Sequence, residues 1–463
     1  MTARSASTVT MLSLALLALV VLILFGVAAS PSISVLPANF DAGLAADGSS
    51  SSPAISADGR YVAFTSSANN LSNDDQDRFT NVFVRDLVTN TTTLVSRQST
   101  SLGGRAANGS SSAPTISGDG RRVVFVSTAS NLTPRGIRHS QSRDVFVRDL
   151  VGGTTTLVSG PDRSTRPWGT PWSPRISANG RVVAFGLTRS VAGGRADLIV
   201  VRHDAGMRTI AAPAAPASTS DTSSRATVVE PGRPELLPDT EPPPRFRKFD
   251  LSADGKHVAF VAEGPRIDDR RLYYRRLSDG RNQRLRTRGV VSDDEPLTIS
   301  TDGRFIAYHD DPAGGSVVNT RTRTRRELGC DENGRSCLWK LGVDQGRFAS
   351  SCEDPVLSAN GRLVACRSSE PRVGPLDPST PRGIVTRSLV TGRMTCALCA
   401  PLPDTPDTPI PKYGKLALSG DGRMIAFVTE RAGLGTAYLT DVYVLNTRTG
   451  QTTLVSRQSG PVT

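Results

Sequence analysis

The chain has 463 residues and a formal net charge of +12, with 55 lysine and arginine residues against 43 aspartate and glutamate residues. Aromatic residues make up only 5% of the sequence and are not interleaved with the scattered arginines, which excludes a nucleic-acid-binding protein. No long stretch after residue 30 shows helical periodicity, so the helical fold classes are excluded as well.

The first predicted element is an apolar helix at residues 11–29. A membrane span needs about 20 apolar residues and a signal-peptide core about 7–15, so the length favours an uncleaved anchor. Residues 27–29 also form an acceptable cleavage site, which leaves a signal peptide over residues 1–30 open. Both interpretations predict that the rest of the chain lies outside the cytoplasm, because the only nearby positive side chain, Arg4, precedes the segment.

A nine-residue phrase, SADGRYVAF at residues 56–64, recurs six more times along the chain. Successive copies begin 48–75 residues apart. The seven opening serines are Ser56, Ser117, Ser177, Ser252, Ser300, Ser358 and Ser419. A period of this size, with one supersecondary unit per copy, indicates a repeat architecture.

Each copy predicts four β-strands. A short apolar strand leads into Asp-Gly or Asn-Gly, which suits a tight hairpin, and the second strand then alternates large and small residues, as at residues 62–64. A third strand follows, as at residues 81–86, and then a threonine-rich fourth strand. The eight-residue sequence TTLVSRQS occurs twice, at residues 92–99 and 452–459. Period-2 patterning bounded by Gly, Asn and Asp indicates strands throughout.

Seven repeats of four strands predict an all-β fold, a seven-bladed β-propeller over residues 50–459, after a linker at 31–49 and before a tail at 460–463. An open solenoid is the alternative, but it needs polar capping repeats, and the first and last copies are as regular as the others. Residues 211–247 are rich in Pro, Ala, Ser and Thr and are predicted to be an extended or disordered insertion, as are residues 401–411.

The repeated phrase resembles that of the TolB-type propellers, relatives of the WD-repeat class, whose blades carry Ser-Pro-Asp-Gly-Lys-x-Ile-Ala-Phe. The resemblance covers nearly all of residues 50–459. The chain departs from the pattern in two ways, because Ala, Gly or Thr replaces the proline and the blade count is seven rather than six. The resemblance implies an extracytoplasmic interaction domain or the non-catalytic half of a serine peptidase.

All six cysteines fall in predicted blades 5 and 6, at Cys330, Cys337, Cys352, Cys366, Cys396 and Cys399. An even number in an exported chain predicts disulfides. Short loops favour two pairs, Cys330 with Cys337 and Cys396 with Cys399. Cys352 and Cys366 flank the turn of blade 6 almost symmetrically, which favours a third. A zinc site is the alternative, although only Cys396 and Cys399 have the close spacing it needs.

The loop before the third strand of blade 1 holds Asp75, Asp77 and Asn81. Oxygen-bearing side chains at positions 1, 3 and 7 of a loop are typical of calcium sites. The loop lacks the turn glycine of such sites, so an exposed acidic turn is favoured and a calcium site is the alternative. No other cofactor is predicted.

Two charged residues, Arg175 and Asp250, stand at aligned positions of the innermost strands of blades 3 and 4. The equivalent positions of the other five blades are uncharged. Side chains facing the central channel favour an ion pair between the two residues, and a site for a polar ligand is the alternative.

The sequence contains no G-x-S-x-G elbow and no H-E-x-x-H pair. It therefore favours a non-enzymatic, monomeric scaffold outside the cytoplasm that binds a protein or another cell-envelope ligand, with membrane contact if residues 11–29 stay attached. The alternative is a hydrolase or polysaccharide-active enzyme with a site at the channel mouth.

The one clustered arginine run, residues 321–326, is interpreted as a solvated rim.

Overall fold

The computed structural model describes the following residues: 45–75, 77–133, 143–159, 169–191, 194–203, 206–210, 228–229, 246–263, 270–287, 289–292, 296–311, 314–328, 352–368, 382–400, 415–432 and 438–459. They form seven antiparallel sheets with no α-helix among them and one 3-10 turn at Thr100–Leu102. The predicted N-terminal helix lies outside the described residues. Within them, no helix is long and apolar enough to cross a membrane.

The strands follow the chain blade by blade. Blade 1 comprises β1 (Ser50–Ile55), β2 (Tyr61–Ser66), β3 (Asn81–Asp86) and β4 (Thr91–Leu94). Blade 2 comprises β5 (Ser111–Ile116), β6 (Arg122–Ser127), β7 (Asp144–Asp149) and β8 (Thr154–Leu157). Blade 3 comprises β9 (Thr170–Ile176), β10 (Val182–Val191), β11 (Gly194–His203), β12 (Gly206–Ile210) and β13 (Val228–Val229). Blade 4 comprises β14 (Phe246–Leu251), β15 (His257–Glu263), β16 (Arg270–Arg276) and β17 (Asn282–Arg284).

The remaining blades continue the pattern. Blade 5 comprises β18 (Val290–Val291), β19 (Thr298–Ile299), β20 (Phe305–Asp311), β21 (Gly314–Asn319) and β22 (Arg325–Glu327). Blade 6 comprises β23 (Cys352–Leu357), β24 (Leu363–Ser368), β25 (Arg382–Ser388) and β26 (Met394–Ala400). Blade 7 comprises β27 (Ala417–Leu418), β28 (Met424–Ala432), β29 (Tyr438–Asn446) and β30 (Thr452–Leu454).

Two blades add to the four-strand pattern. In blade 3, β13 pairs with the outer strand β12 and lies inside the predicted insertion at residues 211–247, so that segment contributes a strand to the sheet. The next blade begins with β14 at Phe246. In blade 5 the inner strand is divided, and both β18 and β19 pair with β20. The prediction of seven blades is confirmed.

The alternation of large and small residues in the second strand fills the space between blades. Val62 and Phe64 are buried against Ala426 of blade 7. The intervening Ala63 lies on the opposite face and is buried with Phe125 of blade 2. A large side chain of one blade therefore packs on the small residue of its neighbour, and the contact between blades 7 and 1 closes the ring.

The recurring serine and acidic or amide residue build the turn between the first and second strands. In blade 1, Ser56 Oγ donates to Asp58 Oδ1 and accepts a hydrogen bond from the Tyr61 amide at 2.9 Å. Asp58 Oδ1 also accepts the Arg60 amide at 3.0 Å. All seven opening serines are fully buried and make the equivalent bonds. The repeat is thus a buried polar turn whose hydrogen bonds are satisfied.

The turn glycine is required for two reasons. At Gly120 the φ angle is +72°, which favours glycine, and a Cβ atom there would lie 2.1 Å from Cδ2 of Tyr61 in blade 1. In the same way, Gly59 of blade 1 lies beneath Met424 of blade 7. Each blade therefore covers the turn of the next one with the first residue of its second strand.

The repeated words TTLVSRQS join neighbouring blades. In blade 2, Arg148 donates to the Gln98 carbonyl at 2.9 Å. Thr155 Oγ1 donates to the Arg97 carbonyl at 2.6 Å, and the Thr155 amide donates to Ser99 Oγ at 2.8 Å. We refer to residues 97–99 as the latch of blade 1.

A second latch with the same sequence closes the ring. Arg85 of blade 1 donates to the Gln458 carbonyl at 2.8 Å. Thr92 Oγ1 donates to the Arg457 carbonyl at 2.6 Å, and the Thr92 amide donates to Ser459 Oγ at 2.9 Å. Residues 457–459 are therefore the latch of blade 7, and the two identical stretches of sequence make the same set of bonds at two seams.

The bonds at the latch of blade 7 predict the effect of removing Arg85, the arginine of blade 1 that binds this latch. Burial lowers the pKa of Arg85 to about 10, so the guanidinium stays charged at neutral pH, and its bonds are shielded from water. We expect Arg85→Ala to lower the free energy of unfolding by about 2–3 kcal/mol, measured by chemical denaturation. Amide hydrogen exchange of Thr92 should quicken in Arg85→Ala, whereas Arg148→Ala should quicken exchange at Thr155 instead. Unchanged exchange at Thr92 would contradict the latch.

Candidate functional site

The turn face is the end of the ring that carries the Ser-x-Asp/Asn-Gly turns and the turns between the third and fourth strands. Because the strands of each blade are antiparallel and joined in order, these two turns lie at the same end of every blade. The side chains that project from one set of turns can therefore meet those from the other set, both within a blade and across a seam.

A cavity of about 850 Å³ opens on the turn face at blades 3, 4 and 5. Its walls include His203 of blade 3, His257 and Tyr274 of blade 4, and Thr320 of blade 5. The volume lies in the range of about 300–1,000 Å³ that is usual for small-molecule sites. The cavity is therefore large enough for an organic ligand.

The charged side chains in the wall of the cavity are mostly basic. Four cationic residues line it: Lys256, Arg276, Arg321 and Arg323. One acidic residue lines it, Asp302, whose Oδ1 accepts bonds from Ser300 Oγ and the Arg304 amide within its own turn. Arg276 has a nearby carboxylate at Asp279, 3.6 Å away. The cations outnumber the acid, which favours a negatively charged ligand.

His257 and Tyr274 form the aromatic part of the wall. Their rings stack with centroids 5.5 Å apart, and the Tyr274 hydroxyl lies 2.7 Å from His257 Nδ1. Burial lowers the pKa of His257, so its imidazole is neutral at neutral pH. A Cβ at Gly303 of blade 5 would lie 2.5 Å from His257 Cγ, so the imidazole is clamped between blades. The pair is a rigid wall.

The arginine run at residues 321–326 contributes to two different environments. Arg321 and Arg323 are exposed on the turn and line the cavity. Arg325 lies in β22 and forms ion pairs with Asp310 at 3.2 Å and with Glu327 at 2.7 Å. The sequence indicated a basic cluster here, but it could not reveal the cavity, because residues of different blades build it.

Arg175 and Asp250 meet across the seam between blades 3 and 4. Arg175 Nε lies 2.8 Å from Asp250 Oδ1, and the Ile299 amide of blade 5 donates to Asp250 Oδ2 at 3.0 Å. Burial raises the pKa of Asp250, against the effect of the arginine and the amide. The carboxylate thus links three blades, while a ligand-binding role for the pair stays a prediction.

The predicted calcium residues lie at one edge of blade 1. Asn81 donates to Asp75 Oδ1 at 3.0 Å and accepts Ser96 Oγ at 2.6 Å, while Asp77 Oδ1 accepts the Phe79 amide. Among the described residues only Asp75 Oδ2 of this group is buried without a hydrogen-bond partner. Calcium takes six to eight oxygen ligands, so this arrangement does not match a formed site. The calcium site stays a prediction.

One of the predicted cysteine pairs is a disulfide. Cys352 and Cys366 are bonded, with Cα atoms 5.4 Å apart, and the bond joins β23 to β24 in blade 6. Cys396 and Cys399 both lie on β26. Cys330 and Cys337 lie outside the described residues. Within the described ranges, no group of three or more His, Cys, Asp or Glu side chains is placed to hold a metal ion.

The disulfide predicts a loss of stability when it is removed. It closes a loop of 14 residues, for which chain-entropy arguments give about 3 kcal/mol. We expect the double variant Cys352→Ala/Cys366→Ala to unfold at lower denaturant concentration by an amount of that order. Peptide mapping without reduction should recover the two cysteines as one linked pair from the parent protein, and two free thiols there would contradict the assignment.

The buried carboxylate predicts a pH effect. Burial, with Asp77 adding repulsion, raises the pKa of Asp75 to about 6. The folded state thus binds this proton more tightly than the unfolded state, so stability is lost as the pH rises through 6. We expect Asp75→Asn to stabilise the protein by up to about 3 kcal/mol at pH 7.5, with the gain vanishing towards pH 4.

Thermal unfolding of Asp75→Asn and the parent protein across that pH range measures the effect. A difference that does not change with pH would contradict the raised pKa. The same melts with added calcium chloride test the predicted calcium site, which requires a calcium-dependent rise in melting temperature for the parent protein alone.

Comparisons with known proteins bear on the fold. No protein-family model and no curated protein matches the chain. A structure from an analysis of two prolyl endopeptidases is 12% identical over 88% of this chain and 49% of that one, with a TM-score of 0.51. TolB from Acinetobacter baumannii is 18% identical over 60% of this chain and 53% of that one, with a TM-score of 0.35. The β-propeller domain of the Trilobed protease from Pyrococcus furiosus is 11% identical over 89% and 99%, with a TM-score of 0.49.

This chain spans about half the length of the endopeptidase structure and of TolB. Similarity at such low identity shows the fold alone. The seven described blades show a β-propeller, the fold that the resemblance to TolB-type repeats implies.

Proposed function

We propose that this chain is a non-enzymatic propeller outside the cytoplasm that binds a protein or another cell-envelope ligand as a rigid scaffold. The observation that carries the proposal is the cavity of about 850 Å³ on the turn face, between blades 4 and 5 and reaching blade 3. The ligand, or a projecting part of it, occupies this cavity, and the surrounding turns supply the remaining contacts.

The rigidity of the cavity wall supports a scaffold role. His257 is held between Tyr274 and Gly303, so it is clamped across the seam of blades 4 and 5. Gln283 of blade 4 donates to the carbonyl of Thr320 in blade 5 and ties the outer strand to the neighbouring turn. Binding in a preformed site avoids the cost of ordering loops.

The location outside the cytoplasm is supported by the buried disulfide between Cys352 and Cys366. Disulfides form and persist in oxidising compartments and are rare in the cytosol. The predicted apolar segment at residues 11–29 and the resemblance to TolB-type propellers support the same location.

The enzymatic alternative has candidate groups at this cavity in the imidazoles of His203 and His257. The imidazole of His257 is neutral, because burial lowers its pKa. Its Nδ1 is engaged with Tyr274, and its Nε2 lies 3.7 Å from Asp254. Both contacts hold the ring in the wall, so packing across the seam accounts for its position without a catalytic role. The scaffold role is therefore preferred.

A variant that narrows the cavity tests the proposal. Ser278 is exposed and lines the cavity on the turn between β16 and β17. Val390 occupies the equivalent position on blade 6 and is 72% exposed. We expect Ser278→Trp to abolish capture of a ligand from envelope extract by the immobilised full-length chain, whereas Val390→Trp retains it.

Captured proteins and glycans are quantified by mass spectrometry, and captured material is checked for cleavage. A ligand captured equally by Ser278→Trp and by the parent protein would contradict binding in this cavity. Cleavage that depends on His257 would replace the scaffold role with the enzymatic alternative.

A further inference from the structure

We infer that the ligand of this cavity is an acidic saccharide, whose carboxylate or phosphate group is bound by Arg321, Arg323 and Lys256. The inference rests on the proposed function, since it names the chemical class that the same cavity accepts. Two independent features lead to it, the backbone conformation of Arg323 in blade 5 and the cavity-lining cations of blades 4 and 5 that form no ion pair.

Arg323 has a backbone conformation that the other blades reserve for glycine or asparagine. The turn between the third and fourth strands is described in six blades. Its fifth residue, four positions after the residue that begins the turn, has a φ between +58° and +72° in all six. The residues at this position are Asn90, Gly153, Gly280, Arg323, Gly392 and Gly450. A left-handed conformation is sterically costly for a residue with a long side chain, whereas glycine and asparagine adopt it readily.

Blade 7 shows that the turn itself does not need an arginine. The turns share Asn-Thr-Arg-Thr, beginning at Asn319 in blade 5 and Asn446 in blade 7. In each, the asparagine carbonyl accepts the amide four residues later at 2.8 Å, from Arg323 or from Gly450. The asparagine side chain caps the turn in the same way in both blades. The turn folds with glycine in blade 7, so its geometry does not explain the strained arginine of blade 5.

A strained residue at a cavity indicates a role for its side chain. Arg323 is exposed and lines the same cavity as Arg321 and Lys256. In the part of the chain that the structure describes, none of these three side chains forms an ion pair. Guanidinium groups bind carboxylate and phosphate through paired N–H donors. Three cations that line one cavity without an ion pair therefore provide a site for an oxyanion.

The shape of the site favours a saccharide over a free ion or a membrane surface. A cavity of about 850 Å³ exceeds the needs of a single phosphate, and Ser278 and Gln283 add neutral polar groups suited to hydroxyls. A lipid surface would require apolar side chains beside the cations. The exposed valines of the turn face, Val88, Val151 and Val390, lie on blades 1, 2 and 6 instead.

Calorimetric titration of the full-length protein tests the inference with five probes. They are trigalacturonate, its uncharged methyl ester, a phosphorylated maltotriose, inorganic phosphate, and phosphatidylglycerol vesicles. We expect at least one acidic saccharide to bind and its uncharged form, the free ion and the vesicles to bind much more weakly. Arg323→Gly should reduce the affinity for the acidic saccharide by about 10- to 100-fold.

Melting temperatures distinguish a loss of ligand binding from a loss of folding in these variants. Arg323→Gly should keep or raise the melting temperature, because glycine relieves the strained conformation, so a loss of affinity cannot be ascribed to misfolding. Gly450→Arg places the same strain in blade 7 and should lower the melting temperature without changing the affinity. Arg448→Ala removes the equivalent of Arg321 on blade 7 and should leave binding unchanged, whereas Arg321→Ala weakens it.

The outcomes distinguish this inference from the proposed function. If no acidic saccharide binds while the ligand from envelope extract is still lost in Ser278→Trp, the inference is overturned and the scaffold proposal stands. Equal binding of charged and uncharged saccharides, tighter binding of phosphate or vesicles, or full affinity in Arg323→Gly would each overturn it as well. If Ser278→Trp also captures everything that the parent protein captures, the proposed function fails with it.

Discussion

A serine hydroxyl buried beneath each inner turn is the interaction on which the ring depends. In every blade it accepts the first amide of the second strand and donates to the aspartate or asparagine two residues later. An unsatisfied buried polar group costs about 1–3 kcal/mol, so these paired bonds hold each turn in one conformation. The turn then places its glycine where the neighbouring blade can cover it. The repeated residues therefore determine both the turn within each blade and the packing of that blade on its neighbour.

The fold could be predicted from the sequence because its determinants are local. The alternation of Val62, Ala63 and Phe64 indicates that one face of the blade packs large side chains and the other face a small one. The turn residues likewise follow from short-range chemistry. Even the pairing of Cys352 with Cys366 follows from their positions on either side of one turn. A strand inside the proline-rich insertion was not predicted, because Val228–Val229 is too short to show a period.

The cavity could not be predicted, because it arises from residues that are distant in sequence. Its walls come from blades 3, 4 and 5, and nothing in the local pattern indicates that the turns of these blades enclose a space. Arg323 was visible only as one of several clustered arginines. Its significance depends on a positive φ, which emerges when the six turns are compared in three dimensions. In a repeat protein, a departure from the repeated geometry is thus more informative about function than the repeat itself.

The identical latches have a consequence for how the ring assembles. The surface of blade 1 that holds Arg85 is complementary to residues 457–459, and the latch at residues 97–99 has the same sequence. Within one molecule the latch at residues 97–99 does not bind this surface of blade 1, because it is bound to Thr155 of blade 2. The two latches have the same chemistry, so the position of each latch in the chain, and not its sequence, sets which blade it joins.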